Sequence, residues 1–121
     1  MQGRFHPERV PGAENAVIED SKLLLYALNP DHPQGRGKAL FFEAIGYTRA
    51  DYEELRTGIL ALLPYLAGQF VRKNADDADN WEAVMAIRRL DVDGTANIAT
   101  YWEVREGHPT RLISLYPTEA R

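Results

Sequence analysis

Thr95-Ala96-Asn97-Ile98-Ala99-Thr100-Tyr101-Trp102-Glu103-Val104 is the stretch on which the fold turns. Ala96, Ile98, Trp102 and Val104 alternate with Asn97, Tyr101 and Glu103, the period-two pattern of a strand with one buried face. Thr100 is the exception, a hydroxyl on the apolar side. Just upstream, Asp91-Val92-Asp93-Gly94 is a hairpin turn, because Gly94 accepts a positive φ. Residues 81–90 form the strand on the far side of that turn, and residues 69–73 a further short strand before it. Downstream, Glu106-Gly107-His108-Pro109 makes the next reversal and residues 111–115 the last strand. The second half of the chain therefore reads as an antiparallel meander of three or four strands.

The first half has a helical period instead. Asp20 or Ser21 opens a short helix to residue 28, with Leu24, Leu25 and Leu28 along one side. The loop that follows, Asn29-Pro30-Asp31-His32-Pro33-Gln34-Gly35, is enforced by two prolines that disfavour helix at the residues before them. A second helix spans residues 38–45 and closes on Gly46. Thr48 and Asp51 have the spacing of a capping box for a third. There Tyr52, Leu55, Ile59, Leu62 and Leu63 share one helical face, and Pro64 ends it. Phe41, Phe42, Tyr47 and Trp102 are the bulky core candidates. The expected fold is α+β, with about three N-terminal helices packed on a three- to four-stranded antiparallel β-meander. Residues 1–12 read as a flexible N-terminal arm and residues 13–121 as a single domain.

Composition narrows the chemistry. The 121 residues are 45% apolar and 26% charged, with no cysteine. That removes disulfides, thiolate metal sites and cysteine nucleophiles. The longest apolar runs are far too short to span a membrane, and the opening Met1-Gln2-Gly3-Arg4-Phe5-His6-Pro7 has no apolar signal core, so a cytoplasmic location is expected. Net charge is −4 and the isoelectric point is about 5.3, which argues mildly against a generic nucleic-acid binder, and no DNA partner is expected. The acidic excess lies wholly in residues 50–121, whereas His32, Arg36 and Lys38 form a local basic segment. A protein acidic overall can still focus positive potential in one place.

That segment, His32-Pro33-Gln34-Gly35-Arg36-Gly37-Lys38, runs from a glycine-bearing loop into a helix start. Free backbone N–H groups and the positive end of a helix favour an anion there. Gly35 and Arg36 would bind phosphate, with Lys38 as a further cation. His32 carries an imidazole, a side chain able to accept or give a proton. The P-loop spacing is absent. The competing reading is a structural loop with His32 bridging backbone. Glu14 either orients His32 or pairs with Arg36. On the polar face of the sheet, Tyr101, Glu103 and Arg111 offer a stacking ring, an acid and a phosphate ligand, although alternating polar residues mark any half-exposed strand. Tyr116 could stack a base or simply end the last strand. His6, His32 and His108 are dispersed, and Asp76, Asp77 and Asp79 lack the spacing of a calcium loop, so no metal or other cofactor is expected.

Ala13-Glu14-Asn15-Ala16-Val17-Ile18, Lys22-Leu23, Leu28-Asn29-Pro30-Asp31-His32-Pro33, Gly35-Arg36, Lys38-Ala39, Phe41-Phe42, Trp102 and Leu115-Tyr116-Pro117 follow a recurring pattern. It resembles a family of small uncharacterised bacterial and phage-associated domains seen in polymorphic-toxin-like contexts. The order of helices then sheet is more distantly similar to the barnase/RelE-type ribonuclease toxin fold. What the resemblance implies is a toxin- or effector-like domain, with RNA as substrate and a cognate antitoxin or immunity protein as partner. Joined to the residues, the expectation is a metal-independent ribonuclease with His32, Lys38 and Glu103 catalytic and Arg36, Gly35, Arg111 and Tyr101 binding substrate. The alternative is a non-catalytic protein-binding module of a toxin–antitoxin-like or phage-associated system.

Overall fold

A computed structural model describes residues 3–32, 36–74 and 76–118, with Arg36 described in its backbone only. The fold is α+β: helical segments precede one four-stranded antiparallel sheet of order β1-β2-β3-β4, with β1 at Gln69–Lys73, β2 at Asp79–Arg88, β3 at Thr95–Val104 and β4 at Arg111–Pro117. The central pair is regular from Asp79 opposite Val104 to Arg88 opposite Thr95. In β4, Tyr101 faces Ser114 and Trp102 faces Leu112, so Ile113 is the extra residue of a bulge.

Trp102 is fully buried, and the apparent misfit Thr100 explains itself beside it. The indole Nε1 donates to Thr100 Oγ1 at 2.7 Å, and that hydroxyl donates to the Ala83 carbonyl at 2.7 Å. One threonine thus satisfies a buried donor and a buried acceptor, each of which would cost about 1–3 kcal/mol if left unpaired.

Helix α1 covers Arg36–Ala44 and α2 covers Tyr52–Leu62. Gly46, at φ 99°, closes α1 as expected, and the Tyr47 N–H returns to the Phe42 carbonyl at 2.8 Å. Thr48 and Asp51 do form the capping box, opening a 3₁₀ turn that leads into α2. Leu55 and Ile59 of α2 join Phe42, Met85, Ile87, Ile98 and Trp102 in one buried cluster. Each such aliphatic side chain is worth about 1.5–3 kcal/mol of transfer free energy.

The first helical segment departs from expectation. Lys22–Ala27 is a π-helical turn, in which the Leu28 N–H donates to the Leu23 carbonyl five residues back. The wider turn shifts the buried set to Leu23, Ala27 and Leu28, and leaves Leu25, assigned to the inner side by the α-helical period, 63% exposed.

Residues before this turn lie along the domain. Val10 is fully buried, the Gly68 N–H donates to the Glu8 carbonyl at 2.8 Å, and Thr110 Oγ1 donates to the Pro11 carbonyl. Val17 bridges β4 in parallel, exchanging bonds with Thr110 and Leu112, and Arg56 reaches across from α2 to the Ile18 carbonyl. A Cβ on Gly68 would lie 2.7 Å from Val10 Cγ2 and 2.8 Å from Val10 N. Gly68→Ala should therefore cost about 1–3 kcal/mol by overpacking and lift the arm. Trypsin cleavage after Arg4 and Arg9 should accelerate in that variant, and an unchanged digestion rate would contradict the docking.

Candidate functional site

Anchored by Val17, the chain runs beside β4 and places the π-helical turn against residues 113–115. Ser21, Lys22, Leu25, Tyr26, His32, Ile113, Ser114 and Leu115 enclose a cavity of about 340 Å³. The Tyr26 ring joins the site together. The His32 ring lies 4.7 Å from its centroid, and Lys38 Nζ lies 4.3 Å from it. The same ammonium sits 3.9 Å from the centroid of Tyr116, the more exposed of the two phenols.

Lys38 is the third residue of α1 and only 7% exposed, and its Nζ has no hydrogen-bond partner among the described residues. Two ring faces attract the cation, by about 0.5–2 kcal/mol each. Burial, and then the charge of Lys22, still hold its pKa below the ordinary lysine value. The unfolded chain consequently binds the Lys38 proton more tightly than the folded one. Protonated Lys38 costs stability below its folded pKa, and the cost disappears as pH rises to the ordinary lysine value. Lys38→Met should abolish that alkaline gain, as measured by urea unfolding across the range. An identical pH slope in the two proteins would count against an unpaired buried ammonium.

The expected site residues divide into two groups. His32 and Lys38 each contact the Tyr26 ring, His32 from within the cavity and Lys38 from outside its lining. Glu103 and Arg111 meet elsewhere, as an ion pair of 3.0 Å at the start of β4, with Glu19 on the other side of Arg111 at 3.2 Å and Asn74 Nδ2 donating to the second Glu103 oxygen at 3.4 Å. Neighbouring carboxylates, Glu103 first, raise the Arg111 pKa. This bracket ties the N-terminal segment, β3 and β4 together, and neither residue lines the His32 cavity. Tyr101 donates to Glu82 Oε2 at 2.6 Å and packs edge-to-face on Tyr116 at 5.8 Å. Glu14 binds Arg9 at 3.0 Å. Gly35 lies outside the described residues, as does the side chain of Arg36.

Lys22, Tyr26 and Ser114 were not singled out from the sequence. Lys22 and Tyr26, four apart, fall on one side of the turn, a signal present in the spacing but without meaning until β4 supplies the opposite wall. A larger cavity of about 420 Å³ lies between α2 and β2, but its charged lining is limited to Glu54 and Arg88. Among the described residues no cluster of three or more His, Asp or Glu could hold a metal ion, and no helix is long and apolar enough to cross a membrane.

No curated protein and no solved structure matches the chain. A family model does, over residues 9–119, a range that takes in every residue of the cavity and of the Glu103–Arg111 bracket. The expectation of an uncharacterised domain family holds at that level: the chain belongs to the DUF6883 family, a domain of unknown function.

Proposed function

We propose that this domain is a toxin-like, metal-independent endoribonuclease acting on cytoplasmic RNA, with its site in the His32–Lys22 cavity. The observation that supports the reading is the Tyr26 ring, touched by the His32 imidazole and by the buried Lys38 ammonium, with Lys22 in the same cavity wall as His32. RNA cleavage needs these parts: a base for the 2′-hydroxyl, an acid for the leaving oxygen and cations for the phosphate. Neutral His32 takes the 2′-hydroxyl proton as O2′ attacks phosphorus. The P–O2′ bond forms, the P–O5′ bond breaks, and the 5′-oxygen takes a proton from the Lys38 ammonium, a step that requires the exposed Tyr116 ring to move off Nζ. Lys22 balances charge on the non-bridging oxygens. The products are a 2′,3′-cyclic phosphate and a 5′-hydroxyl.

In this reading Glu103 and Arg111 hold the strands and do not touch substrate. A cognate antitoxin or immunity protein would act by covering the cavity. The test is incubation of the purified chain with total RNA and with ribosomes in EDTA, followed by sequencing of new ends. Discrete cuts with 5′-hydroxyl ends are expected, and no cuts from folded protein would overturn the reading.

One observation favours the alternative of a protein-binding module. All five residues of β1 are exposed, including Phe70 and Val71, and no strand of the sheet lies outside it. An open apolar strand edge is a template for an extended partner segment. A folded but RNA-inactive protein would make that reading the better one.

A further inference from the structure

The His32 cavity does not end at Ser114. Ile113 and Ser114 also wall a second cavity of about 340 Å³ on the open face of the sheet, completed by Val71, Arg72, Asn80, Tyr101 and Tyr116. The β4 bulge at Ile113 is thus the saddle between two adjoining hollows of similar size.

Their chemistry differs. The first carries Lys22, His32 and three hydroxyl or phenol groups, of Ser21, Tyr26 and Ser114, suited to an anion. The second carries aromatic surface and groups that donate and accept hydrogen bonds. Tyr116 leaves 45% of its surface open; Lys38 Nζ lies over its ring, and Tyr101, itself fixed through its hydroxyl to Glu82, packs against it edge-to-face. Arg72 is exposed on β1 and makes no ion pair among the described residues. Both cavities fall within the size range of small-ligand sites.

We infer that the second cavity is a nucleobase subsite, and that the ligand is single-stranded RNA laid across the Ile113 saddle. One base stacks on Tyr116 with its edge toward Arg72, Asn80 and Ser114, and the adjoining phosphate enters the His32–Lys22 cavity. The phosphate half of this placement rests on the ribonuclease reading above; the base half rests on the aromatic cavity alone. A duplex is excluded as ligand, because a base must leave its stack to reach Tyr116.

The full chain would be titrated with a fluorescein-labelled RNA pentamer carrying 2′-O-methyl groups throughout, which lacks the attacking hydroxyl and cannot be cut. An abasic chain of the same length supplies the phosphates without the bases. Wild type should bind the base-bearing pentamer roughly ten- to a hundredfold more tightly than the abasic one. Tyr116→Ala should erase that difference and Tyr116→Phe restore it. Arg72→Ala, on an exposed strand that leaves the core untouched, should reduce it several-fold.

Equal binding of the two oligomers, no binding of either, or a Tyr116→Ala protein that is folded and binds like wild type would each overturn the subsite. Tyr116-dependent binding without cleavage of unmodified RNA would remove the ribonuclease reading and uphold the subsite. Cleavage with no preference for bases over phosphates would do the reverse.

Discussion

On the proposed ribonuclease reading, His32→Ala and Lys38→Ala should each lower RNA cleavage about 10²–10⁴-fold, the range for loss of a positioned proton-transfer group. The effects are less than additive in the double variant, because the two residues serve one transition state. Single-turnover kinetics on a short fluorogenic RNA is the measurement, with thermal melts to establish that each variant is folded. The alkaline limb carries the more specific information. Burial and Lys22 hold the Lys38 pKa below that of a free lysine, so the acid form is depleted sooner as pH rises. Wild-type cleavage should therefore fall at a lower pH than an ordinary lysine would impose. Lys38→Arg retains the positive charge but cannot give up a proton in this range, so that limb should disappear together with most of the rate. Full activity in His32→Ala would move the site away from Tyr26 altogether.

The largest expected loss of stability comes from Trp102. Trp102→Ala removes the biggest fully buried side chain of the sheet and should cost about 3–5 kcal/mol, a large share of the total for a domain of this size. Thr100→Val, nearly isosteric, should cost about 1–3 kcal/mol by stranding both the indole N–H and the Ala83 carbonyl. The Thr100→Val/Trp102→Phe pair tests whether these costs share a cause. With the indole donor gone, the valine strands one group instead of two, so the double variant should be more stable than the sum of the single effects predicts. Urea unfolding gives all the values needed, and strict additivity would mean that the indole–hydroxyl bond contributes little.

The strands were legible because their information is local. Alternation in residues 95–104 fixes which side of β3 is buried, and Gly94 and Gly107, both at positive φ, mark the reversals. The Thr48–Asp51 cap and the Gly46 stop were legible for the same reason. Phase in the first helical segment was not. A sequence with leucines at 23, 24, 25 and 28 satisfies a period of 3.6 as well as the wider turn, and the choice is made by packing against β4. Long-range geometry likewise decided the site. His32 and Lys38 stand six residues apart, and what relates them is a ring from the preceding turn, Tyr26, which touches both. Tyr116 reaches Lys38 from the far end of the chain. Conversely, their place on the polar side of the sheet assigns Glu103 and Arg111 to a site; the structure pairs them with each other, and Arg111 with Glu19.

The order in which the molecule can assemble follows from its N-terminal segment. The Thr110–Pro11 hydrogen bond joins residues 99 apart, and Val17 pairs with β4 itself. Closing so long a loop is entropically the most expensive contact in the chain, and it has no template until the last hairpin exists. Synthesis delivers these residues in the opposite order: the segment leaves the ribosome first and must wait, with Val10 and Ile18 uncovered, until residues 110–112 emerge. The cavity wall built by Ser21, Lys22 and Tyr26 waits with it. A nascent chain therefore carries Lys22, Tyr26 and His32 long before the opposite wall of Ile113, Ser114 and Leu115, and the cavity exists only when β4 closes.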